Sequence, residues 1–83
     1  MSKHSWHITR KGQQVKKVRH YKHLIEMYKF VSRNRAMFAG KTLTIYDWGH
    51  VVADIEWDDI LVQVDNGIKE LEARKWLKTK YKN

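Results

Sequence analysis

The sequence predicts a small α+β domain in which an antiparallel sheet carries two helices on one face, in the order β-β-α-β-β-α. Three patterns predict it: period-2 patterning in both halves of Thr42 to Trp57, around a connection at Trp48-Gly49-His50, an apolar stripe of helical period before that stretch, and a second such stripe after it. A chain of 83 residues suffices for one domain spanning 1–83, with frayed ends expected at about 1–4 and 79–83.

The first expected element is a hairpin in SWHITRKGQQVKKV, Ser5 to Val18. Trp6 and Ile8 alternate with polar neighbours, and Lys11-Gly12 marks a turn. The return strand is less regular, and a bulge is needed to bring Val15 and Val18 onto one face. Across HYKHLIEMYKFVSR and the Val18 before it, Val18, Tyr21, Leu24, Ile25, Tyr28 and Val31 fall within about 140° of arc at the helical period. This predicts an amphipathic helix from about His20 to Arg33, ending before Met37 and Phe38, which leave the stripe.

In TLTIYDWGHVVADIEW, Leu43 and Ile45 alternate with Thr44 and Tyr46, and Val51, Ala53, Ile55 and Trp57 with Val52, Asp54 and Glu56. A two-residue Trp48-Gly49 loop would mix apolar and polar faces. A three-residue loop opposes Ile45 to Ala53 and Leu43 to Ile55, and register follows the buried face. The longer loop is therefore expected, with Gly49 supplying the positive φ. The last segment begins with Asp58 as an N-cap and carries Ile60, Leu61, Val64, Ile68 and Leu71 on one helical face. One long helix is expected, although Asp65-Asn66-Gly67 weakens its middle; the alternative is a strand over Ile60–Val64, a turn, and a helix from Ile68. The predicted core joins Leu43, Ile45, Ala53, Ile55 and Trp57 to these helical stripes.

Composition narrows the function. There is no Cys, which excludes a disulfide framework, a thiolate metal site and a Cys nucleophile. No apolar run is long enough to span a membrane, and the first residues carry no signal-peptide core, so a cytoplasmic setting is expected. No P-loop, GxGxxG, HExxH or G-x-S-x-G motif occurs, and the chain reads as a non-enzyme. The pairs His4/His7 and His20/His23 read as surface histidines in a basic region that has no Cys, so neither metal nor cofactor is expected. Asp58-Asp59 reads as a helix start, and His50 near Asp47 or Asp54 as a turn feature.

Charge is the strongest lead. The net charge is +8, but residues 1–41 contain eleven Lys or Arg and one acid, Glu26. Six acids and no base occupy Tyr46 to Asp65, and five bases and no acid lie between Arg74 and Lys82. An ordinary solvated surface intersperses both signs. The acid-free run Arg10 to His23 instead suggests phosphate contacts from Arg10, Lys11, Lys16, Lys17, Arg19 and Lys22, with Lys29 and Arg33 from the helix. No base-reading side chain is identifiable, and neither DNA nor RNA is favoured. Tyr46 has the ring to stack a base, but Asp54 and Glu56 on its face would repel phosphate. The alternative partner is a protein, bound by an interaction module or small inhibitor or adaptor through Trp48 at the hairpin tip with Asp47, Asp54 and Glu56.

Overall fold

The computed structural model describes residues 5–13 and 18–80. Among them are β1 (Trp6–Arg10), α1 (Leu24–Arg33), α2 (Arg35–Phe38), β2 (Thr42–Asp47), β3 (His50–Glu56), α3 (Trp57–Asp65) and α4 (Glu70–Lys80). The three strands form one antiparallel sheet in the order β1-β2-β3. This is the α+β antiparallel class that the sequence predicts, with four helices among the described residues.

The β2–β3 hairpin keeps the expected register, Ile45 opposite Ala53 and Leu43 opposite Ile55. It does so by another route. Asp47 pairs with His50, so the loop is the two-residue Trp48-Gly49. Both loop residues have positive φ, 51° and 79°, as a type I′ turn requires. Tyr46 then pairs with Val51 while Ile45 pairs with Ala53, leaving Val52 as the extra residue of a bulge. Turn and bulge together keep Leu43, Ile45, Ala53 and Ile55 on one face.

β1 pairs with β2 along its whole length, from Trp6 opposite Asp47 to Arg10 opposite Leu43. The expected return strand of a first hairpin falls on residues 14–17, outside the described residues, and Val18 is in no strand. The chain comes back to β1 at Tyr21, which exchanges backbone hydrogen bonds with Trp6 at 2.7 and 3.0 Å. That extended bridge delays α1 to Leu24, four residues after the predicted His20 start. α1 ends at Arg33 as expected, and the single turn α2 then returns Phe38 to the core against Phe30.

The predicted single C-terminal helix is two helices. α3 ends at Asp65, with Asn66 as its C-cap residue and Gly67 at φ 68°, and N–H groups of Gly67 and Ile68 reach back to the carbonyls of Val64 and Gln63. This is a Schellman stop, and glycine adopts its left-handed position without a Cβ penalty. α3 also begins one residue before the predicted cap: Glu56 is the N-cap residue, and Asp58 and Asp59 lie in the first turn.

One hydrophobic cluster joins the sheet face to the helices through Trp6, Tyr21, Leu24, Met27, Tyr28, Val31, Phe38, Ile60, Ala73 and Leu77. Each fully buried aliphatic side chain is worth about 1.5–3 kcal/mol relative to exposure. Ile25, Trp57, Val64 and Ile68 are half-buried against this cluster. Leu71, placed in the core by a continuous helix, is 65% exposed because the break at Gly67 rotates α4 to present Ala73 and Leu77 instead.

α1 borrows its start from α4. His23, its N-cap residue, makes no side-chain cap. The Glu70 carboxylate instead accepts the N–H groups of Leu24 at 3.0 Å and Ile25 at 2.7 Å. Arg74 pairs with the same carboxylate, and its guanidinium lies 5.7 Å from the Trp6 ring centroid. Burial alone would raise the Glu70 carboxyl, but the two backbone donors and Arg74 more than offset it and hold it below its usual range.

Candidate functional site

A basic, aromatic-lined hollow lies where the free side of β1 meets the chain entering α1. Its volume is ≈ 150 Å³. Tyr21, Phe30 and Phe38 line it, and Met37 at its wall is 51% exposed. The rings are mutually tilted, with Phe30 centred 5.9 Å from both Tyr21 and Phe38. Arg10 and Arg19 line the same hollow, and the Arg19 guanidinium sits 5.2 Å from the Tyr21 ring centroid. Burial pushes the Tyr21 phenol above its ordinary value, with Arg19 opposing and Glu26 reinforcing that shift. Tyr21 is therefore a neutral hydroxyl near neutral pH.

The other predicted bases distribute around this hollow unevenly. Arg33 follows Phe30 by three residues on α1, which places it one turn along the same side of the helix, and Lys29 and Arg33 are i, i+4 neighbours. Both are exposed, as is Lys22 between the Tyr21 bridge and α1. Lys11 is taken elsewhere: its ammonium lies 3.1 Å from Asp54 on the opposite face of the sheet. That pair is largely exposed, so it is worth little and competes weakly with another anion. Lys16 and Lys17 lie outside the described residues. Sequence reasoning missed the aromatic component, because Phe30 leaves the α1 core stripe and Phe38 follows the expected helix end. Arg35, also exposed, was not singled out either.

The hairpin acids are tied into the sheet. Asp54 accepts the Thr44 hydroxyl at 2.7 Å, and Glu56 accepts that of Thr42 at 2.9 Å. The Thr44 hydrogen bond, with Lys11 second, holds the Asp54 carboxyl below its ordinary value. Asp47 ends β2 with one carboxylate oxygen buried and no partner among the described residues. Trp48 at the tip is 62% exposed, and Val51 beside it 56%.

Tyr46 is not an open platform. The His7 ring stacks on it at 4.4 Å and 7°, and His20 meets His7 edge-on at 5.0 Å. Burial, and secondarily His20, lower the His7 imidazole's affinity for a proton. His23 is the residue preceding α1, so His20 and His23 do not share a helical face. Among the described residues no three His, Asp or Glu side chains cluster as a metal would need.

A second concavity, ≈ 540 Å³, lies between α3 and α4, with Val62, Ile68 and Trp76 as its apolar part and Asp59 and Glu72 as its acids. No helix among the described residues is long and apolar enough to cross a membrane. Comparison with known proteins found no matching family model, no similar curated protein and no similar solved structure.

Proposed function

We propose that the protein is a non-enzymatic, cytoplasmic domain that binds nucleic acid through the phosphate backbone, using Arg10, Arg19, Lys22, Lys29 and Arg33 around the β1–α1 hollow, with Lys11, Lys16 and Lys17 of the same basic run. The observation that carries this reading is electrostatic. Among the described residues, none of Arg10, Arg19, Lys22, Lys29 or Arg33 has a carboxylate at ion-pair distance. Cations left without acids attract a polyanion and gain from the counterions it releases. The test is a titration of labelled DNA and RNA at several salt concentrations. Affinity is expected to fall linearly on logarithmic axes, by about 0.7–0.9 in slope for each phosphate contacted. Absence of binding at low salt overturns the reading.

The exposure of Trp48 and Val51 at the hairpin tip favours a second reading, an interaction module for a protein partner. Asp47, Asp54 and Glu56 contribute less to it, since Asp54 and Glu56 already hold intramolecular partners. A partner captured from the native host that survives nuclease and is lost on Trp48→Ala would replace the first reading with this one.

A further inference from the structure

We infer that the β1–α1 hollow receives one unpaired base, so that the nucleic acid bound on this surface is single-stranded rather than duplex; this rests on the phosphate-binding reading of the same surface. Size is the first support. At ≈ 150 Å³ the hollow is well below the about 300–1,000 Å³ of a site for a larger organic ligand, and it suits a single ring system. Its chemistry is the second. The half-buried Phe30 ring and the exposed Met37, backed by the buried rings of Tyr21 and Phe38, offer apolar and π contact without demanding a particular base, because every base has a π face.

The third is the position of the cations. Arg10 and Arg19 line the hollow itself, so a base seated there brings its own phosphate beside a guanidinium. A paired base inside a duplex is stacked on both sides and must be unstacked and extruded to enter. An unpaired base in a single strand avoids most of that cost.

The experiment compares labelled single-stranded RNA and DNA oligonucleotides, the corresponding duplex, and a single strand with abasic positions, each titrated with the full chain at constant low salt. The single strands are expected to bind about tenfold tighter than the duplex, an advantage of the size one stacked base supplies. The abasic strand is expected to lose that advantage. Met37→Glu, at an exposed position that the fold tolerates, is expected to bring single-strand affinity down to the duplex level. With isotope-labelled methionine methyl groups, the single strand should shift the Met37 signal more than that of buried Met27. Equal affinity for duplex and single strand, or full affinity of the abasic strand, overturns the inference while leaving phosphate binding standing. No binding of any strand overturns both.

Discussion

The acids of residues 42–83 and the bases of residues 1–41 differ in how far the fold takes up their charge. Glu70 caps α1 and pairs with Arg74, Asp54 joins Thr44 to Lys11, and Glu56 holds Thr42 across the hairpin. Asp58 and Asp59 occupy the first turn of α3, where the helix dipole favours them. On the basic side Lys11 has an ion pair, whereas Arg10, Lys22, Lys29 and Arg33 have none among the described residues. The chemistry of the side chains explains the asymmetry. Carboxylates are short acceptors that reach backbone N–H and hydroxyl donors within the fold. Lys and Arg have long stems that lie along the surface and leave the charge in water. One sign of charge therefore helps assemble this domain, and the other is left largely in solvent.

The core sets the scale for any such division. Ile55→Ala removes a fully buried side chain from the core face of β3 and is expected to cost about 2–5 kcal/mol, read by denaturant unfolding. That is a large fraction of the stability of so small a domain. A tolerated Ile55→Ala would mean that the face shared by Leu43, Ile45, Ala53 and Ile55 is not what holds the fold.

Next in size is the acid that the fold uses most. Glu70→Ala leaves the Leu24 and Ile25 N–H groups without their acceptor and is expected to cost about 1–3 kcal/mol. The same group gives a pH dependence. Its folded pKa is depressed, so its contribution is complete above the unfolded value of about 4.3 and is lost as pH falls through the folded value. His7 acts in the same direction at higher pH. The unfolded chain takes up its proton from about pH 6.5 downward while the folded state resists. Stability is therefore expected to decline in two stages on acidification. Glu70→Gln should remove much of the lower stage and His7→Gln the upper one, read as midpoint shifts in urea. A single stage unaffected by either change would place the acid sensitivity elsewhere.

How much of this was legible follows from range. The Leu43/Ile55 and Ile45/Ala53 pairs were readable because alternation is local and a buried face dictates register. The two-residue turn and Val52 bulge that achieve that register were not, since two loop lengths can serve one face. The α3–α4 break was written in Asn66-Gly67, yet an apolar stripe running across it favoured continuity; the misplacement of Leu71 and the omission of Ala73 and Leu77 share that origin. The Glu70 cap could not be read, because it joins residues 45 and 46 positions apart. At the candidate site the cations were evident from charge alone. The aromatic wall was not, because Tyr21 reaches it through a bridge to Trp6 and Phe38 through the extra turn α2.

The smallest expected change in stability is the one that tests the basic side of the comparison. Lys29→Ala and Arg33→Ala alter exposed side chains with no ion pair among the described residues, and each is expected to move stability by no more than about 0.5 kcal/mol. Their effect belongs in binding. Each should weaken association uniformly across sequences and lessen the salt slope by about 1 if its phosphate contact is lost. The paired base supplies the contrast. Lys11→Ala breaks an exposed ion pair that stabilises by about 0–1 kcal/mol and leaves Asp54 to its Thr44 bond. Because Lys11 must leave Asp54 to hold a phosphate, its removal should change the slope less than removal of Arg33. If Arg33→Ala instead destabilises the domain as much as Glu70→Ala while the salt slope stays constant, the bases are as structural as the acids, and the division of labour between the two charges fails.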